Sequence, residues 1–206
     1  MSAQKIGLYT KNADGVWFGV ACDEEKVFAT SFAGTEETAL KSLLDSMPLG
    51  AEFQVFTARS AFAEQALDSV KSVYDGKGEV GSIPLDAERL TSFNQRILEV
   101  TRLVPVGYVT SYGALAEAAG GGPRAVGGVM AANPFAPIVP CHRVVRSDFT
   151  LGGYGGGLDL KAKMLNREKR GNSLPKEIPV GDKRLRVFPV EFSLEKLPKD
   201  NETKNP

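Results

Sequence analysis

Short runs of alternating apolar and polar residues fill the first third of the chain. Residues 6–10 (IGLYT), 16–23 (VWFGVACD) and 26–33 (KVFATSFA) read as strands, and the polar connections 12–15 (NADG) and 23–25 (DEE) join them into a small antiparallel meander. Thr35 then caps an acidic first turn, Glu36 and Glu37, ahead of Ala39, Leu40, Leu43 and Leu44, a helical spacing that Pro48 ends. A strand over 53–58 and a helix over 62–74 complete an α/β unit. Residues 75–84 (DGKGEVGSIP) hold three glycines and a proline with little apolar content, which places a linker there. Beyond it the period changes. Leu90, Phe93, Ile97, Val100 and Val104 follow a helical spacing until Pro105 and Gly107 end it. Thr110 and Ser111 can cap a helix over 112–119, which Gly120, Gly121 and Gly122 stop. Pro123 suits the first turn of a further helix over 123–132, closed by Asn133 and Pro134.

This pattern divides the 206 residues into an α/β supporting domain (1–80), a mainly helical domain (81–171) and an extension (172–206) that is charged, holds five prolines and has a strand pattern over 184–192. Charge changes the picture. The chain is neutral overall, yet residues 1–86 carry 7 Lys+Arg against 13 Asp+Glu and residues 87–206 carry 18 against 12, so the halves stand at −6 and +6. Such a split suits a C-terminal half that meets a polyanion, although scattered surface charge plus a basic tail would give the same count. No run approaches the roughly 20 apolar residues of a membrane span, and no basic-then-apolar leader opens the chain, so an intracellular protein is expected. Two cysteines far apart and one histidine supply no usual zinc set, and both thiols are expected to be free.

Two short helices joined by a glycine turn form a helix-turn-helix pattern, which DNA-binding proteins share with ordinary helical cores. The second helix is unusual in composition. Arg124-Ala125-Val126-Gly127-Gly128-Val129-Met130 has few bulky side chains, and its two glycines cost helix stability, so another surface must come close: a neighbouring helix, or the floor of a DNA groove. The string PIVPCHRVV at 137–145 follows. A cysteine becomes a strong nucleophile as thiolate, which an adjacent imidazole or cation favours, and Cys141 precedes His142 and Arg143. In an extended strand neighbours face opposite ways, so a Cys141–His142 contact needs a turn, for which Pro140 gives occasion, or a bridging water. A cysteine simply buried in an apolar segment, with His142 at the surface, is the alternative. On a last helix over 158–170, Leu158, Lys161, Leu165 and Glu168 share one face, and a carboxylate on that stripe calls for a partner.

Arg124 to Met130, Asn133-Pro134 and Ile138 to Val144 together closely resemble the O6-alkylguanine-DNA alkyltransferases, densely over residues 93–168 and not at all from 172 onward. The resemblance implies an RNase H-like α/β N-terminal domain with a small antiparallel sheet, then a mainly α C-terminal domain with a winged-helix-like helix-turn-helix. It implies DNA repair by direct reversal: double-stranded DNA bound through the minor groove, the damaged base flipped out, and its O6-alkyl group moved irreversibly to Cys141, with O4-alkylthymine as a further candidate. Arg124 resembles the finger that fills the base stack, with Ala125, Gly127 and Gly128 against DNA. Tyr112 resembles the tyrosine that crowds the 3′ phosphate and bonds the guanine. Asn133 resembles the brace between recognition helix and active-site loop. Glu168 resembles the carboxylate that orients His142, and Lys161 the lysine that assists the departing O6. Pro140, Val144, Met130, Tyr154, Gly155 and Gly156 are implied as pocket lining; Gly155 stands where serine is frequent, which removes a hydroxyl from the base edge. No cofactor or metal is expected, since the single N-terminal cysteine, Cys22, reads as a core residue. A monomer in the cytoplasm, nucleoid-associated in a prokaryote, completes the expectation. Two other classes compete: a lesion sensor without transfer, which would lack the acceptor cysteine, and a cysteine hydrolase, which would leave Arg124 and the small-residue helix unexplained.

Overall fold

A computed structural model describes residues 5–48, 50–78 and 83–198; part of the expected linker, residues 79–82, and the end of the extension lie outside the described residues. The N-terminal strands form where the alternation places them: β1 (Ile6–Ala13), β2 (Val16–Cys22) and β3 (Val27–Ala33). Asp14 and Gly15, both at positive φ (54° and 76°), make the two-residue turn that matches strand twist between β1 and β2. Thr35 accepts from the Thr38 amide and caps α1 (Glu36–Asp45), as its position before two acidic residues predicts. After α1 comes β4 (Phe53–Val55), shorter than expected and parallel to β1, so the sheet of order β3-β2-β1-β4 is mixed rather than antiparallel. The cause is connectivity: a helix between two strands returns the chain to the end where it started, which imposes parallel pairing. Alternate residues of the strands face opposite helices. Tyr9, Phe18, Val20 and Cys22 pack with Ala63, Leu67 and Val70 of α2 (Ala61–Tyr74), while Ile6, Leu8, Ala21 and Ala29 pack with Leu43 of α1.

The C-terminal helices are α3 (Ser92–Arg102), α4 (Tyr112–Ala119), α5 (Pro123–Ala131) and α6 (Leu158–Arg167). Ser111 accepts from the Ala114 amide and caps α4, whereas Thr110 turns its hydroxyl to the Arg186 carbonyl. A second four-stranded sheet accompanies these helices, which remain the main content of residues 81–171. Its order is β6-β5-β8-β7, from β5 (Tyr108–Ser111), β6 (Val144–Val145), β7 (Lys176–Val180) and β8 (Lys183–Pro189). Strands of two and four residues carry too little alternation to be read from sequence; pairing alone defines them. Half of the sheet comes from the extension, which folds as a hairpin whose Leu185 and Val187 are fully buried beside α4, followed by the short α7 (Glu191–Leu194).

The two sheets are tied together around one segment. The Thr30 amide and hydroxyl donate to the carbonyls of Pro134 (2.9 Å) and Ala136 (2.7 Å), and Ile138 and Met164 enter the core of β1, β2 and α2. Arg167 reaches the Tyr74 carbonyl at 3.1 Å with its guanidinium 4.3 Å from the Tyr74 ring, closing the C-terminus of α2. No helix among the described residues is long and apolar enough to cross a membrane.

Candidate active site

The segment between α5 and β6 is irregular, and Asn133 organises it. Its side-chain amide donates to the Val139 carbonyl (2.9 Å) and its oxygen accepts from the Phe135 amide (3.0 Å), so one side chain closes the loop that carries Cys141. After Pro140 the chain makes a single 3-10 turn, Cys141–Arg143. That turn removes the obstacle of an extended strand, where neighbours diverge. All three of its residues are buried, His142 completely, against the alternative of a surface histidine.

Glu168 is the C-cap of α6, which ends at Arg167, three residues before the expected end, and the Glu168 carboxylate is buried in the core. Oε1 lies 2.9 Å from His142 Nε2. Arg143 donates from Nε to Oε2 and from Nη2 to Oε1, both at 2.9 Å, and from Nη1 to the Val104 carbonyl at 2.6 Å. Burial by itself would raise the Glu168 pKa, but His142 and Arg143 outweigh it and hold the group at about 2. An ionised carboxylate can only accept, so Nε2 of His142 carries the proton. Burial lowers the His142 pKa against the pull of Glu168, which keeps the ring neutral and leaves Nδ1 an acceptor; that atom is buried with no protein hydrogen-bond partner.

Cys141 is 7% exposed, and burial raises its pKa despite opposing contributions from the Asn133 side chain and the Lys161 charge. At rest it is a thiol. Lys161, fully buried on α6, donates to the carbonyls of Val144 (2.7 Å) and Leu151 (2.5 Å), and burial lowers its pKa to about 8. Tyr154, partly buried, has its ring centroid 5.9 Å from Lys161 Nζ and its hydroxyl 3.7 Å from Met164 Sδ. Burial and the neighbouring Cys141 raise the pKa of Tyr112, which therefore stays protonated. The Tyr112 ring lies over Gly152, where a Cβ would come within 3.1 Å of it.

The structure thus brings Cys141, His142, Glu168, Lys161, Tyr112 and Tyr154 to one region, with Pro140 and Val144 buried beside them. Gly155 and Gly156 are exposed. Met130 turns inward to Thr101, 3.9 Å from its hydroxyl, and belongs to the core beneath the site. Leu158 stands 52% exposed, so the stripe on α6 begins only at Lys161. On α5, Arg124, Ala125 and Gly128 are exposed, and a Cβ at Gly127 or Gly128 would meet nothing within 4 Å. The small residues therefore serve no neighbouring helix. Arg143 was visible in the sequence as a charge near Cys141, but its bidentate hold on Glu168 was not; the expectation of a partner for a buried glutamate was the one available signal. Among the described residues no three of His, Cys, Asp and Glu converge as a metal site.

A helix-turn-helix with an open small-residue face, set above a buried cysteine, histidine and glutamate array, defines a class of nucleic-acid protein with a thiol site. Residues 92–170 match the family described as 6-O-methylguanine DNA methyltransferase, DNA binding domain. The chain is 39% identical over 106 residues to a methylated-DNA–protein-cysteine methyltransferase of Methanothermobacter thermautotrophicus, covering 51% of this chain and 60% of that one. It is also 39% identical over 112 residues to a DNA base-flipping protein of Thermus thermophilus, covering 54% and 76%. The crystal structure of O6-methylguanine-DNA methyltransferase from Pyrococcus kodakaraensis superimposes with a TM-score of 0.61 at 31% identity, over 79% of this chain and 98% of that one. The chain belongs to the O6-methylguanine-DNA methyltransferase family. Its match to the Methanothermobacter relative spans less than two thirds of that protein's length.

Proposed function

We propose that this protein repairs DNA by moving the alkyl group of O6-alkylguanine onto Sγ of its own Cys141. The observation that carries the reading is the buried pair His142–Glu168, a neutral imidazole held by an ionised carboxylate with Nδ1 left as an acceptor, on the residue next to Cys141. DNA would lie on α5, entering by the minor groove, with Arg124 filling the stack from which the base has rotated. In the transfer the S–C bond forms as the C–O6 bond breaks. The thiol proton passes through a water to His142 Nδ1, and the imidazolium so formed is stabilised by Glu168. Charge that develops on the departing guanine is met by the Lys161 ammonium and by the Tyr112 hydroxyl. A thioether is not hydrolysed by these groups, so each protein reacts once. O4-alkylthymine fits the same chemistry.

The finer architecture follows the same reading. The β3-β2-β1-β4 order with a parallel fourth strand supports an RNase H-like N-terminal domain over 1–80, and the hairpin beside α4 supports a winged-helix-like C-terminal domain from 81. We read the protein as a monomer acting inside the cell on chromosomal DNA. The base-flipping relative makes a lesion sensor the competing activity, and Cys141 argues for transfer. Intact mass after incubation with a duplex bearing O6-methylguanine separates them. A single methyl on Cys141, absent in Cys141→Ala, supports transfer; lesion binding without a mass change supports the sensor.

A further inference from the structure

The extension beyond residue 170 lies outside the segment that matches the family, yet its aromatic side chains pack on the turn that leads into the site. Phe188 of β8 and Phe192 of α7 close edge-on against Phe149, with ring centroids 5.0 Å and 5.4 Å away at 67° and 83°. Phe149 has φ 67°, a left-handed backbone that a bulky residue adopts only when its surroundings enforce it. It belongs to a tight turn: the Arg146 amide donates to the Thr150 carbonyl (2.9 Å), the Phe149 amide to the Arg146 carbonyl (3.0 Å), and the Thr150 amide to Asp148 Oδ1 (3.0 Å). The next residue is Leu151, whose carbonyl holds Lys161 Nζ, and then Gly152, on which the Tyr112 ring rests. The chain of contact runs from the extension through Phe149 to Lys161 and Tyr112, the two groups that the proposed transfer sets against the departing guanine.

We propose that Phe188 and Phe192 are positioning residues for alkyl transfer: they hold Phe149 in its left-handed backbone and thereby place the wall that begins at Leu151, with Lys161 and Tyr112, around Cys141. The inference rests on the activity proposed above. The hairpin does not depend on these rings for its own attachment. Leu185 and Val187 are fully buried, β8 pairs with β5, and the Val190 amide donates to the Gly107 carbonyl at 3.0 Å.

The test uses the full chain and four variants: Phe192→Ala, Phe192→Ala/Phe149→Gly, Phe188→Ala/Phe192→Ala, and the last of these with Phe149→Gly. Single-turnover transfer from a saturating O6-methylguanine duplex is timed below each variant's melting transition, beside the affinity for an unmodified duplex. Loss of both rings is expected to slow transfer about tenfold or more, the scale on which small misplacements act, with duplex affinity unchanged because the α5 face is untouched. Glycine accepts φ near +67° without strain, so the triple variant is expected to recover much of the rate although it has lost a third ring. Ordinary core packing predicts the reverse, a further loss. Phe192→Ala gives the same comparison should the double variant fold poorly, with a smaller slowing that Phe149→Gly again relieves. Transfer at the parent rate in the ring-deleted variants, or a triple variant slower than the double, overturns the proposal. Absence of transfer in the unaltered chain would instead overturn the activity on which it rests.

Discussion

His142 and Glu168, twenty-six residues apart, meet at 2.9 Å in a fully buried contact, while Arg143 takes both carboxylate oxygens from the other side. The arrangement makes Glu168 serve two purposes: it sets the histidine tautomer and it neutralises a buried guanidinium. Glu168→Gln is expected to slow transfer by about 10²–10⁴-fold, as in other triads whose orienting carboxylate is lost. It should also destabilise the fold by about 3–5 kcal/mol, because Arg143 is left without a counter-charge. Single-turnover rates and urea unfolding read the two effects separately.

Acid should release the same energy. The Glu168 pKa stands at about 2 in the folded protein against an ordinary 4.5. The unfolded chain therefore binds the proton first as pH falls. Its contribution, on the order of a few kcal/mol, is fully present above pH 4.5 and is lost between there and pH 2. Unfolding free energy measured across that range should fall with a slope that Glu168→Gln reduces.

A bell-shaped rate profile follows from two other groups. Burial lowers the His142 pKa, so the neutral base is available below the ordinary histidine midpoint of 6.5. Lys161 sheds its proton near pH 8, and with it the charge that meets the departing guanine. Transfer should rise on the acid side as His142 deprotonates and fall on the alkaline side through about pH 8. Lys161→Met should be slower throughout and lack the alkaline fall; an unchanged alkaline limb would remove Lys161 from the mechanism.

Arg124 is exposed at the start of α5 and makes none of the described side-chain contacts. Its replacement by alanine should leave thermal stability alone and slow transfer from duplex about 10- to 100-fold, the cost of an unstacked site left unfilled. Reaction with a free O6-alkylguanine base, which needs no flipping, should proceed at the parent rate. Equal slowing with both substrates would reassign the residue.

Gly128 separates folding from binding. With open space around its Cβ position, Gly128→Ala should stabilise the helix by about 0.5–1 kcal/mol. Gly128→Leu should also fold, yet lose about tenfold or more in duplex affinity, ~1.4 kcal/mol, by holding the helix off the groove. A leucine variant that binds DNA normally would place the duplex elsewhere.

Much of this site was legible in the chain itself. The strands of the first third and the caps Thr35 and Ser111 rest on local rules, the alternation of apolar residues and the hydrogen bonding of a hydroxyl to the next turn, and local rules survive folding. The thiol, its adjacent histidine and the small-residue helix were legible for a like reason: contiguous residues announce unusual chemistry by their types alone. Tertiary structure decided what depends on pairing at a distance. The second sheet needed β8, from the extension, to lie beside β5; the strand pattern of β8 is legible in the sequence, but its partner is not, and β5 is too short to show a period. Whether Gly127 and Gly128 face a helix or open space depends on what the fold leaves beside them, and where Arg143 sends its guanidinium and which rings surround Phe149 are set by contacts between residues 25 to 43 apart. Such contacts leave no spacing in the sequence, because a buried charge or a strained turn is stable only through partners that the folded chain brings to it.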